Sequence, residues 1–369
     1  MRVWTGNNSK FLSTAPPKVL FSQLLVWIVP LIPCIWNCTA SAQDAASRTI
    51  PSRIIPIPGD TSPELQKLLA QPVSPGTPPP RTTEEWRALA EQFVPDRADA
   101  EQLEKMSNQL GVTVVPQTMG GVRCYVAAPK VIQPKNRNRV LLTLHPGGFI
   151  AGAVGRYGTE WAVKIASLMG YKVIVVDYRL LPDHPFPAAM DDAMAVWKYV
   201  IKSTKPSNVA VIGASVGGGM ALSLVQRAKS DAVSLPGAVI AISAAAADLS
   251  KTGDSYYTNA GVDGNSTYDG LWEAVWKLYA NGRDLKDPLV SPLYGDFKGF
   301  PPTYLVTGTR DLYLSDTVRV QRRLLQAGVS TQLVVVEGLP HGGMMSTDIP
   351  EVAEFYSYIA RFIDAHLGR

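Results

Sequence analysis

Unbroken apolar runs recur through the second half of this 369-residue chain, each followed by a segment with helical spacing. Residues 173–176, 209–212 and 333–336 carry no polar side chain at all. A strand with one wet face alternates apolar and polar residues, so such runs imply burial on both faces. Between and after them lie helix-like segments such as "FPAAMDDAMAVWKYVIKS", "GGMALSLVQRAK" and "TVRVQRRLLQAG". Strands of this kind alternating with helices predict an α/β fold, a mostly parallel sheet covered by helices on both sides. Three earlier β-like runs, "GVTVVPQ", "GVRCYVAAP" and "RVLLTLH", have no helices between them and are expected to be antiparallel at one edge. No fixed-period repeat interrupts the pattern.

Composition supplies the core and limits the partners. Hydrophobic residues make up 46% of the chain and charged residues 18%, which suits one large or two modest globular domains. Three of the four net positive charges belong to Arg2, Lys10 and Lys18, in a stretch without acids, leaving a formal +1 for the rest. A nearly neutral body without a Lys/Arg cluster argues against nucleic acid as a partner.

The same N-terminal stretch has the layout of an export signal. A basic segment through Lys18 is followed by the apolar run "VLFSQLLVWIVPLIPCIW", then by Ala40 and Ala42 at the −3 and −1 positions of a small-residue cleavage site. Gln23, Pro30 and Pro33 break the run, against a transmembrane helix. Residues 1–42 are therefore expected to be a cleaved signal and the protein to be periplasmic or secreted, without stable membrane association. An uncleaved anchor is the alternative. Cleavage would remove Cys34 and Cys38 and leave Cys124 alone, so no intramolecular disulfide is expected. The four histidines show no metal-ligand spacing with Cys or Glu, and no metal or cofactor is expected. Residues 43–81, rich in Pro and Ser, read as an arm or linker with one short helix at "SPELQKLLA". Residue 82 opens the main domain, with Thr83 as the expected cap of its first helix.

The chemistry concentrates in "VAVIGASVGGGMAL", where Gly213, Ser215 and Gly217 form G-x-S-x-G between a strand and a helix. A serine on so sharp a turn is crowded by backbone, and the flanking positions must lack side chains. The turn lifts the hydroxyl to the carboxyl edge of the sheet, where ligands of open α/β sheets gather. A plain glycine-rich turn is the bland reading. A phosphate loop is disfavoured, since no Lys follows at the required spacing.

A serine hydroxyl attacks only when a base takes its proton. At such an elbow the acid and then the histidine follow in the chain. Only His341 and His366 follow Ser215, and His366 sits in the terminal helix-like segment. His341, in "LPHGGMM" just past a strand, is the expected base. "YLVTGTRDLYLSD" offers Asp311 and Asp316. Asp311 lies just past the strand and is the expected acid; Asp316 suits the cap of the next helix. The oxyanion of a tetrahedral intermediate needs backbone donors: Val216 N–H after the nucleophile, and donors from "HPGGF" after an earlier strand. Pro146 has no N–H, but Gly147 and Gly148 do. His145 reads as an anchor for that loop. Asp183 beside His184 belongs to a Pro-rich turn ahead of the serine.

Together, "HPGGF", "DYRLLPDHPFPAAMDDA", "GASVGGG", "GTRDLYLSD" and "PHG" resemble the hormone-sensitive-lipase-like branch of bacterial α/β-hydrolase esterases, over residues 112–366. The resemblance implies an α/β-hydrolase fold with an eight-stranded sheet and a helical cap. It places the oxyanion donors at Gly147 and Gly148, and it extends to short-chain carboxylesterases and lactone hydrolases. Two departures stand out: Pro146 at the first glycine of the family's loop, and an extra residue between Asp311 and Asp316. The expected function is hydrolysis of short or medium acyl esters, or of lactones, through an acyl-enzyme on Ser215, His341 and Asp311. The cap is expected from residues 82–110, joined by 256–276, whose Tyr256, Tyr257, Trp272 and Trp276 suit either a pocket or a core. Amide hydrolysis on the same triad and a silent ligand-binding relative are the alternatives. Oligomeric state is not legible.

Overall fold

The first two strands, β1 (Val112–Met119) and β2 (Val122–Pro129), are joined by Gly120 and Gly121, both at positive φ. A two-residue hairpin that matches strand twist needs positive φ at both positions, which glycine adopts without strain. The computed structural model describes residues 51–73, 76–264 and 266–368. Residues 1–54 are a separate unit from Ile55–Arg369. The expected export signal over 1–42 lies outside the described residues.

Six further strands complete one sheet: β3 (Val140–Leu144), β4 (Lys172–Val176), β5 (Val209–Ala214), β6 (Ala238–Ile242), β7 (Thr303–Gly308) and β8 (Thr331–Val336). Their order is β1-β2-β4-β3-β5-β6-β7-β8. β1 and β2 are antiparallel at one edge, as expected, and β2 runs antiparallel to β4. β3 departs from the expectation: it lies inside the sheet, parallel to β4 and β5. The reason is the helix that follows it, which carries the chain back so that β4 must run parallel to β3.

The helices are α1 (Pro63–Leu69), α2 (Thr83–Glu91), α3 (Arg97–Gln109), α4 (Thr159–Met169), α5 (Ala188–Val200), α6 (Val216–Ser230), α7 (Ser255–Thr258), α8 (Glu273–Ala280), α9 (Leu314–Gln326) and α10 (Pro350–His366). Alternate residues of each strand serve opposite faces. Leu142, Ile174, Val211 and Leu305 join one core with α5, α6 and α9. Leu141, Val173, Ile212 and Val306 join the other with α4 and α10. The runs at 173–176 and 209–212 are buried on both faces. The run at 333–336 is not, because β8 ends the sheet; Val335 is 41% exposed.

Two local details refine the sequence reading. Thr82, one residue before the expected Thr83, caps α2: its hydroxyl accepts from Glu85 N–H, and the Glu85 side chain accepts from Thr82 N–H, satisfying two otherwise open donors. Within the Pro-rich segment, Ser62 caps α1 and bonds to the Glu351 carboxylate on α10, while Leu65 is fully buried. Among the described residues no helix is long and apolar enough to cross a membrane.

Candidate active site

β3, β5, β6, β7 and β8 run parallel, so the loops that follow them share one edge of the sheet. Those loops carry His145, Ser215, Ser243, Asp311 and His341 respectively. Ser215 stands between β5 and α6 at φ 54°, ψ −125°, a left-handed backbone that costs an L-residue energy. The surroundings enforce it. A Cβ on Gly213 would lie 1.9 Å from Gly217 O, and one on Gly217 would lie 1.9 Å from Leu144 O. Ser215 N–H donates to Ile242 O at 2.9 Å, tying the turn to β6. The motif's two glycines are thus required by backbone contact.

The structure brings the expected base and acid to this hydroxyl. Ser215 Oγ is 2.8 Å from His341 Nε2, and His341 Nδ1 is 3.2 Å from Asp311 Oδ1. Asp311 is fully buried, and its carboxylate accepts from Tyr313 N–H at 2.9 Å and from the Thr307 hydroxyl at 2.7 Å. Burial alone would raise its pKa. The hydrogen bond and charge of His341, then Ser243 and Tyr313 N–H, outweigh that and hold it below the usual range. For His341, burial disfavours the cation, but the hydrogen bond and charge of Asp311, with the charge of Asp263, win, so its pKa lies above the ordinary 6.5. An imidazole whose Nδ1 faces an ionised carboxylate keeps Nε2 as the acceptor that a serine base needs.

Asp316 is not the helix cap that the sequence suggested. α9 begins earlier, at Leu314, and Asp316 points inward from its first turn, fully buried. Its Oδ2 accepts from the Tyr256 hydroxyl at 2.6 Å, and its Oδ1 has no hydrogen-bond partner among the described residues. Burial, and next the charge of Asp248, push its carboxyl well above the ordinary range. His366 is far along α10, with Nδ1 on Phe362 O. Asp183 pairs with Arg87 on α2.

The glycine loop after β3 is held from behind. His145 is fully buried and stacks on Tyr178 at 4.1 Å, and the Tyr178 hydroxyl donates to His145 O at 2.6 Å. Burial lowers its pKa to about 4, so it is a neutral anchor whose Nδ1 lies 2.7 Å from Pro146 O. Gly147 and Gly148 have φ 119° and 64°. Their N–H groups, like that of Val216 at the start of α6, donate to no acceptor among the described residues. Such groups at a helix start and an αL-type loop suit an anion.

Sequence reasoning missed two contributors, Ser243 and Asp263, and left Trp272 open between pocket and core. The Ser243 hydroxyl, at the end of β6, lies 2.6 Å from His341 Nδ1, closer than Asp311. Its only sequence signal is one polar residue in "AISAAAA". Asp263 accepts from His341 N–H at 3.0 Å and from Leu312 N–H at 2.8 Å. Trp272, at the end of a kinked turn (Tyr268–Trp272) whose Asp269 and Gly270 have non-helical backbone, leans on the glycine loop: a Cβ on Gly148 would meet Trp272 Cζ3 at 2.3 Å. The aromatics of 256–276 therefore divide. Tyr256 and Trp276 are core, Tyr257 is exposed, and Trp272 is half-buried beside Gly148. Among the described residues no three His, Cys, Asp or Glu side chains converge as a metal-binding group.

Known proteins share this arrangement of chain. A family model described as alpha/beta hydrolase fold matches residues 141–345. The chain is 40% identical to the solved structure of an esterase, E25, with a TM-score of 0.80, covering 87% of this chain and 99% of that one. The hormone-sensitive-lipase homologue EstE7 from a metagenome library is 28% identical at TM-score 0.64, covering 77% and 91%. An ethyl acetate hydrolase of Pseudomonas putida is 30% identical over 67% of this chain and 78% of its own length. An esterase of Acinetobacter venetianus is 27% identical over 68% and 82%.

Proposed function

This chain belongs to the α/β-hydrolase fold family, beside the bacterial hormone-sensitive-lipase esterases, and is a carboxylic ester hydrolase; on that premise we propose that it cleaves small acyl esters through an acyl-enzyme on Ser215. The observation that carries this reading is the 2.8 Å contact between Ser215 Oγ and His341 Nε2, backed by Asp311. As Ser215 Oγ attacks the ester carbonyl carbon, its proton passes to His341 Nε2. The imidazolium that forms is stabilised by the Asp311 carboxylate. The carbonyl oxygen becomes an oxyanion held by Gly147, Gly148 and Val216 N–H groups, each worth about 10²–10³ in rate. Collapse of the intermediate breaks the bond to the alkoxide, which takes the proton from Nε2. Water, deprotonated by His341, then attacks the acyl-enzyme and releases the acid and Ser215.

Trp272 supports the small-acyl part of the proposal. Its ring lies against Gly148, and we take it to narrow the space beside the oxyanion loop that a long acyl chain would need. The experiment is hydrolysis of p-nitrophenyl esters of graded length, with organophosphate labelling read by mass spectrometry. Turnover should be highest for acetate to butyrate, and the label should fall on Ser215. Absence of both turnover and label overturns the reading. Export is likewise our proposal, supported by the layout of residues 1–42; a mature N-terminus at Gln43 in the exported protein would support it, and an intact leader in the cytosol would overturn it.

A further inference from the structure

The insertion between β6 and β7 reaches back to the triad at one buried side chain that the mechanism above does not use. Asp263 is 2% exposed and follows α7. Its Oδ2 accepts from two backbone N–H groups, Leu312 at 2.8 Å and His341 at 3.0 Å. The first is the residue after Asp311, and the second is the proposed base itself. Its Oδ1 accepts from Ser266 N–H at 3.0 Å. The same insertion docks a second time nearby, where Asn259 Nδ2 donates to Asp311 O at 2.8 Å and Thr309 O at 3.1 Å.

We propose that Asp263 is a positioning residue of the site, a second carboxylate that clamps the acid loop to the base loop and adds negative charge beside the His341 imidazole. The inference rests on His341 being the base. Two loops that follow different strands have no covalent reason to keep a fixed register. One oxygen accepting from both supplies that reason. The charge has a second consequence, because the imidazolium that forms during attack gains from a nearby anion.

The titratable groups acting on the imidazole are Asp311, Asp263 and the edge of Tyr313, whose ring centroid is 4.6 Å away. Those acting on Asp263 are His341 and Asp311, and it in turn acts on Tyr313. Burial raises the Asp263 carboxyl to about 6, against the opposing pull of His341 and the two N–H donors, so above that pH it is an anion. Removing it should therefore destabilise the imidazolium and move the titration of His341 to lower pH.

The test is the pH dependence of kcat/KM for p-nitrophenyl butyrate in wild type, Asp263→Asn and Asp263→Ser. Asn keeps an acceptor for the Leu312 and His341 N–H groups and removes the charge together with the acceptor for Ser266 N–H; Ser removes both charge and reach. Near-UV circular dichroism establishes which variants are folded, and His341 imidazole shifts by NMR report its titration independently of turnover. Expected are an acid limb lowered by about half a pH unit or more in both variants, kcat reduced about threefold to tenfold, and KM within about twofold. A limb that stays in place in the folded variants overturns the proposal and leaves Asp263 a tie between loops. A wild type with no acid limb overturns the assignment of His341 instead.

Discussion

Asp311 and Asp316 stand on one short segment after β7, and both are fully buried, yet their surroundings push the two carboxyls in opposite directions. Asp311 is surrounded by donors: Tyr313 N–H, the Thr307 hydroxyl and the His341 imidazole. Among the described residues Asp316 has one, the Tyr256 hydroxyl, with Arg319 4.0 Å away and already paired to Asp248. Desolvation pushes both carboxyls up. The number and charge of the donors decide which one ionises. Position in sequence and depth of burial do not separate them; the hydrogen-bond count does. An acid that supports a base must be the ionised one.

The comparison breaks most visibly in Asp311→Asn. Losing the charge and favouring the wrong imidazole tautomer should lower kcat by on the order of 10³–10⁴, measured on p-nitrophenyl butyrate; a loss under tenfold would remove Asp311 from the proposed triad. Ser243→Ala comes next. It strips His341 Nδ1 of its nearer partner, and kcat should fall about tenfold with KM unchanged, the worth of one hydrogen bond to a charged group. An unaltered kcat would make the 2.6 Å contact incidental.

Thr307→Val removes one donor from Asp311 Oδ2 while keeping the shape of the side chain. A reduction in kcat of about threefold is expected, with none in the amount of folded protein. Asp316→Asn should alter kcat least, by less than about twofold, and show itself in stability instead. Its folded pKa lies above the ordinary 3.8, so the folded chain keeps a proton that the unfolded chain releases. Stability from this group is full below about 3.8 and declines as pH rises toward the folded value. Between pH 5 and 8, the Tm of wild type should therefore fall relative to that of the Asn variant; parallel Tm curves would show that Asp316 is ionised in both states.

Much of this site is legible in the amino-acid sequence because its rules are local. Gly213 and Gly217 are dictated by the turn they flank, and the apolar run at 209–212 places that turn at a strand end. His341 and Asp311 follow from chain order and from strands that end just before them. Asp316 was misread because an aspartate near a helix start is a good cap by propensity, and only packing reveals that it points inward. Ser243 and Asp263 left no local trace: one lies in an alanine run, the other in an irregular stretch, and both matter only through contacts across the sheet edge. Trp272 is set apart from Trp276 by the kink at Asp269 and Gly270, which no periodicity announces. The misplacement of β3 and the exposure of β8 have the same origin, since strand order is not written in any single strand.

The opposite shifts of the two aspartates can be tested directly. In protein labelled with ¹³C at the aspartate carboxyls, with Asp311→Asn and Asp316→Asn spectra providing the assignments, the Asp316 resonance at pH 7 should lie at the shift of a protonated acid. That of Asp311 should lie at the shift of a carboxylate. A protonated Asp311, or two ionised carboxylates at that pH, would contradict the account.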